Sequence, residues 1–167
     1  TRIYELIESY EKIDFSDFKS IKFDYKFPIP FKFNFVDVNQ IMEMNPEEYP
    51  HIAELIKEIQ NWDRSTNSDS LGAGIFAMFY YNLGNYVRKP YINRKLSNNL
   101  IAQMLSDVKA YMIKHFKKTN VTLGEYQKLV RGNNEIPIWG MPDVITAMTS
   151  SRYVAVSYTH LTLPTIE

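Results

Sequence analysis

Cysteine is absent from the 167 residues, which removes disulfides, thiolate zinc sites, iron–sulfur clusters and a cysteine nucleophile together. Excess charge of either sign is also missing. With 19 Lys and Arg against 19 Asp and Glu, and a pI near 6.8, the chain lacks the cationic surplus that neutralising many phosphates requires, so no nucleic-acid partner is expected. No stretch stays uncharged and apolar for the roughly 18 residues a spanning helix needs, so no transmembrane segment is expected. Histidine is scarce. His51 and His115 fall on different predicted helices without an H-x-x-x-H spacing, which suits a solvated or helix-end role better than metal ligation.

What is present is one domain's worth of mostly helical pattern. Ile3, Leu6, Ile7 and Tyr10 space an amphipathic helix over 1–13, and Ser16 is the expected cap of a short second helix. Phe27-Pro28-Ile29-Pro30 breaks that pattern, and the state of 31–44 stays open. Asn45-Pro46-Glu47-Glu48 has a capping side chain, proline at the first helical position and acids behind it. It predicts a helix of about five turns with Ile52, Leu55, Ile56, Ile59 and Trp62 on the core face, despite Pro50 early in it. The polar run 63–70 predicts a loop, and 71–87, with almost no charged face, predicts a buried helix. Gly72 and Gly74 weaken that helix locally, so their expected use is close approach of another backbone. A second long helix is expected over 96–118, closed by lysines, and Thr122-Leu123-Gly124-Glu125 spells a capping box for a last helix to Leu129.

The chemistry-bearing residues form no set. Gly72-Ala73-Gly74 lacks the third glycine and the preceding strand of a dinucleotide fingerprint. Asn120-Val121-Thr122 fits a glycosylation triplet, but Thr122 already has a capping role. Asp63, Asp69 and Asp143 stand alone in loops, and no nucleophile, base and orienting group occur together. Chain ends add two expectations. Thr1 without a leader suggests a processed chain or a piece of a longer one, and Val156–Glu167 resembles the translation of a sequencing adapter, leaving 1–155 as the protein proper.

Three stretches, in order, resemble the penicillin acylase family of N-terminal-nucleophile amidohydrolases. Arg2-Ile3-Tyr4-Glu5-Leu6 followed by Phe15-Ser16-Asp17-Phe18 and on to Asp24 is similar to the family's Arg-Ile, a helix, and a short helix ending in Asp. Trp62-Asp63-Arg64, then Asp69-Ser70-Leu71-Gly72-Ala73-Gly74-Ile75-Phe76, resembles its Trp-Asp-(Gly/Arg) and Asp-Ser-x-Gly-Ala-x-Ile-Phe signature. Leu123-Gly124-Glu125-Tyr126-Gln127 through Gly132, with Ile136-Pro137-Ile138-Trp139-Gly140-Met141-Pro142-Asp143, is similar to a third segment rich in Gly, Pro and Asp.

The resemblance implies an internal, mainly α fragment of the large chain of such an enzyme, whose whole fold is a four-layered αββα sandwich. It implies a periplasmic, self-cleaving precursor that hydrolyses linear acyl amides, such as β-lactam side chains or acyl-homoserine lactones. The nucleophile is a liberated N-terminal Ser whose own amine serves as base, with an Asn and backbone N–H groups on the oxyanion. Neither that Ser nor that Asn is in this chain. Thr1 is not taken as the nucleophile, because the family has an interior loop residue before Arg-Ile. Arg2 alone carries over, as an electrostatic support near the catalytic centre, against the plain alternative of a helix-start Arg tied to an acid. Asp63 and Asp69 would cap the buried helix, and the aromatic run 27–35 could edge an acyl pocket. Partners would be the acyl amide, the small chain and the rest of the large chain. Several relatives hold calcium, but none of its ligands can be placed here, so no cofactor or metal is expected of these residues.

A fragment torn from its protein should expose apolar faces, notably on helix 71–87. The rival reading is a non-catalytic helical interaction module, which instead requires Phe76, Phe79 and Met104 to be buried within this chain.

Overall fold

The computed structural model describes residues 2–31, 33, 36–86 and 94–141. Thr1, Asp143 and the adapter-like tail 156–167 lie outside the described residues. Within them the chain is mainly helical, with one short parallel strand pair and one antiparallel hairpin. No described helix is long and apolar enough to cross a membrane.

The first helix, α1, covers Arg2–Glu8 and stops well before residue 13. Ser9 ends it, because its Oγ and its N–H both turn back onto the Leu6 carbonyl, at 2.6 and 3.2 Å. Helix α2, Phe15–Lys22, is capped by Asp14 and not by Ser16. Asp14 and Asp17 exchange side-chain and backbone bonds in a reciprocal box, which satisfies two donors where Ser16 could satisfy one. The open segment 31–44 resolves into strand β1, Val36–Asp37, and a 3₁₀ turn at Asn39–Met42. Strand β1 lies parallel to β2, Arg94–Lys95. The Asn39 amide accepts from Phe31 N–H and donates to Phe31 C=O, at 2.7 and 2.8 Å, and so pins the Phe31 backbone as a neighbouring strand would.

The five-turn helix expected from Asn45 is two pieces. Asn45 does cap, accepting from Glu47 N–H, but the turn it starts is 3₁₀ and ends at Glu48. Pro50 forces Tyr49 out of the helical region (φ −129°, ψ 61°), and α3 begins afresh, spanning Ala53–Asn61. Its apolar face holds: Ile52, Leu55, Ile56, Ile59 and Trp62 are all buried.

Helix α4, Leu71–Tyr86, is the centre of the fold. Every residue from Gly72 to Tyr80 is buried, with Phe76 and Phe79 fully so. Helix α5, Asn98–Phe116, packs beside it through Ile101, Met104, Leu105, Val108 and Met112, capped by Ser97 Oγ and closed by Lys117 in the left-handed region. The expectation of an exposed apolar face on 71–87 is therefore overturned for the described side chains, of which Tyr81 is 42 % exposed. Apolar exposure sits elsewhere: Ile3, Tyr4, Phe15, Phe18 and Phe23 on α1 and α2 are all more than half exposed.

Gly74 meets another backbone, as its neighbours suggested. A Cβ there would sit 2.4 Å from the Val121 carbonyl oxygen. Gly72 differs, because the three atoms nearest to a Cβ there all belong to the Trp62 side chain, from 2.4 Å. The segment so admitted leads into α6, Leu123–Tyr126, held on the start of α4 by Leu123 N–H to Ser70 C=O (3.0 Å) and Gly124 N–H to Ser68 C=O (2.6 Å). This helix ends three residues before Leu129. Strands β3, Lys128–Arg131, and β4, Asn134–Pro137, follow as a hairpin, with Gly132 (φ +60°) in its turn.

The Thr122–Glu125 capping box forms as its spacing dictates. Lys118 bonds Glu125 Oε1 at 2.6 Å and, with the Thr122 N–H, holds this carboxyl below its ordinary 4.5. A carboxylate depressed in the folded state adds stability that is full above its unfolded pKa and lost as pH falls through the folded one. Acid titration should therefore weaken α6 docking progressively below about pH 4.5. The effect stays below about 1 kcal/mol, because both side chains remain more than a third exposed and solvent screens them. Amide exchange at Glu125 and Tyr126, compared with Glu125→Gln, checks it; equal acid sensitivity in the two proteins would refute it.

Candidate functional site

Arg2, the one site residue carried over from the sequence, lies on the first turn of α1 and reaches the end of α2. Its Nε donates to Asp24 Oδ2 at 2.9 Å and its Nη2 to Asp24 Oδ1 at 3.1 Å. This is a side-on, two-bond fit of planar guanidinium to planar carboxylate, and it fixes the Arg2 plane as well as its position. Glu5, one turn along, lies 3.8 Å from Nη1. The Asp24 hydrogen bonds, opposed by partial desolvation, raise the Arg2 pKa above its ordinary value. Asp24 and Arg2 are the two ends of the first resembling stretch, and the fold brings them together.

Asp63 and Asp69 do not cap α4. Ser70 Oγ accepts from Ala73 N–H at 3.1 Å and does that work, being one residue closer to the helix start. Asp69 is exposed. Asp63 instead pairs with Lys26 Nζ at 2.9 Å and accepts from Ser65 N–H, and these bonds, Lys26 first, lower its pKa.

The polar run 63–70 is a loop as expected, but its middle is not solvated. Arg64, Ser65 and Thr66 are buried, at 6, 3 and 3 % exposure, because the segment pairs with 25–27: Phe27 N–H to Arg64 C=O (3.0 Å) and Thr66 N–H to Tyr25 C=O (3.1 Å). Trp62 Nε1 closes the turn onto the Ser65 carbonyl at 2.7 Å. Arg64, in the left-handed region at φ +64°, places its guanidinium carbon 4.0 Å from the centre of the Phe31 ring. Burial lowers its pKa from the ordinary value.

Around Arg64 stand the aromatics of the 27–35 run. Phe27, Phe31 and Phe33 pack with Trp62, Phe76 and Tyr80, and Phe31 stacks on Phe76 at 4.7 Å. Of the run's described residues Phe31 is buried and Phe27 and Phe33 are half-buried against the core, whereas Ile29 is 74 % exposed. A recess elsewhere, between Glu54, Glu58, Ile75 and Asn120, has about 80 Å³, far short of the roughly 300 Å³ at which ligand pockets begin.

His51 bonds Ser106 Oγ at 3.0 Å and His115 lies against the Tyr111 ring, so each serves locally. Among the described residues no three His, Asp or Glu converge on a point that could hold a metal. Arg64 is the functional candidate that local pattern misses. Its only sequence mark is the Trp62-Asp63-Arg64 triplet, and its burial depends on Pro28 and Phe31, more than thirty residues away. No protein-family model and no curated protein matches the chain.

Proposed function

We propose that this chain is part of the large chain of a penicillin-acylase-like amidohydrolase that cleaves linear acyl amides. The supporting observation is the Arg2–Asp24 pair, which joins the first and last residues of a stretch that the family resemblance selects. An arginine near the reacting carbonyl helps only if it does not move as charge develops, and a two-bond clamp supplies that rigidity. In this reading the Ser nucleophile, its amine base and the oxyanion Asn come from outside the chain, and Arg2 steadies Asn and substrate through its field. The small chain and the rest of the large chain cover the exposed apolar residues of α1 and α2. The precursor is periplasmic, with calcium a possible resident of the complete protein.

A second reading has its own observation. Phe76, Phe79 and Met104 are fully buried by this chain's residues, as a self-contained helical interaction module requires.

One experiment separates them. The source locus is read across both ends, and the complete frame is expressed and assayed on phenylacetyl and long-chain acyl amides. The acylase reading expects self-cleavage to expose an N-terminal Ser, acid release from the amide, and no activity in residues 1–155 alone. A start codon directly before Thr1, with 1–155 unfolding cooperatively as a monomer that binds no hydrophobic dye, would overturn it for the module.

A further inference from the structure

Two arginines carry the same group in opposite states. Arg2, about a third exposed, has its Nε/Nη2 edge filled by Asp24. Arg64 is only 6 % exposed, yet donates one hydrogen bond, from Nη1 to the Pro28 carbonyl at 2.9 Å. Among the described residues nothing accepts from its Nε or Nη2, and no carboxylate pairs with it. That edge is not sealed. Among the described residues the fully buried polar side-chain atom without a partner is Ser65 Oγ, so Nε and Nη2 of Arg64 are not wholly closed off.

A guanidinium does not shed its proton at any ordinary pH, so burial leaves its charge standing and uncompensated. Backbone strain adds to this at the same residue, whose positive φ is held by the pairing with Phe27 and by the Trp62–Ser65 bond. Both costs fall on a group that presents two parallel N–H donors to the outside.

We propose that the free Nε/Nη2 edge of Arg64 binds the carboxylate of a small apolar acid, side-on, through two parallel hydrogen bonds. A carboxylate matches the spacing of the two donors, as Asp24 does on Arg2. A monoanion cancels the single buried charge, whereas a phosphate dianion would leave a net negative charge in an aromatic surrounding. Phe31 covers the guanidinium, with Phe27 and Phe33 each 5.9 Å from its ring, which favours an acid with an apolar body. The site needs neither Arg2 nor an external Ser, and so stands apart from the acyl-amide reading.

Benzoate is the probe, and benzamide its uncharged counterpart. In the ¹⁵N-labelled 167-residue chain, the Arg64 Nε–H signal is identified by its proximity to the Phe31 ring protons. Benzoate should move it downfield in a saturable way, while benzamide or matched sodium chloride should not. Arg64→Lys, which lacks the fork, should bind benzoate roughly tenfold more weakly or worse. Assignment through Phe31 keeps the test intact if that variant fails to fold. An Arg64 signal that ignores benzoate, or follows benzamide equally, would overturn the proposal. So would a signal already in the carboxylate-bonded position before any addition, which would make a carboxylate of the chain itself the occupant.

Discussion

Phe76→Ala is expected to cost about 3–5 kcal/mol of folding stability, the usual loss for deleting a wholly buried aromatic ring. The side chain is 0 % exposed and is the hub of the aromatic cluster, stacked on Phe31 at 4.7 Å and close to Trp62 and Phe27 at 5.4 and 5.7 Å. Its removal leaves a hole bordered by Phe27, Phe31 and Trp62, and rigid rings collapse poorly into a void. Against a total stability of about 5–15 kcal/mol, such a loss takes a large part of the whole. The urea midpoint of the 167-residue chain measures it, with Phe76→Leu as a milder companion that retains part of the contact. A loss under about 1 kcal/mol would mean that the α4 face is not packed as described.

Gly74→Ala should be of similar severity for the opposite reason, too much atom instead of too little. The added carbon would lie 2.4 Å from the Val121 carbonyl oxygen, 2.8 Å from the Thr122 carbonyl carbon and 2.9 Å from Leu123 N, all backbone and none able to rotate aside. The helix would gain about 1 kcal/mol in propensity, but α6 would have to leave the start of α4. That breaks the Leu123–Ser70 and Gly124–Ser68 bonds and uncovers Val121 and Leu123, both 0 % exposed. A net loss of about 2–4 kcal/mol is expected, in the range of overpacked cores and lost buried contacts. Thermal unfolding monitored by circular dichroism, together with amide exchange at Leu123 and Gly124, distinguishes this from a helix-only effect. A rise in melting temperature would show that propensity wins and that the close approach is looser than 2.4 Å implies.

The features legible in the sequence share one property, short range. The capping box at Thr122 and Glu125 spans three residues and formed as spelled. The core face of α3 follows a 3.6-residue period and is buried where that period puts it, and α4, with almost no charged face, is buried throughout Gly72–Tyr80. Pro50 is legible too: it lies just past the turn that Asn45 starts and splits one expected helix into that 3₁₀ piece and α3. The hairpin at 128–137 was hidden because Lys128–Arg131 alternates weakly and both its strands are largely exposed, so burial left no period-two trace.

The candidate site divides the same way. Arg2 could be singled out by resemblance, but its partner Asp24 lies 22 residues on and is set by the angle between α1 and α2. Composition makes 63–70 a loop but does not say that its middle is buried, since polar residues are costly inside without partners. The pairing of 25–27 with 64–66, with Trp62 and Gly140 on the Ser65 and Thr66 carbonyls, supplies backbone partners for a buried loop, and Pro28 and Phe31 give the Arg64 guanidinium an acceptor and a ring to lie against. By itself the sequence determined the capping box at Thr122 and Glu125 and the apolar faces that its helices bury, because those depend on residue type and on neighbours within a turn or two. Tertiary structure alone decided which polar groups meet and which stay unsatisfied, because those outcomes depend on contacts between residues 22 to 41 apart, to which no local spacing is sensitive.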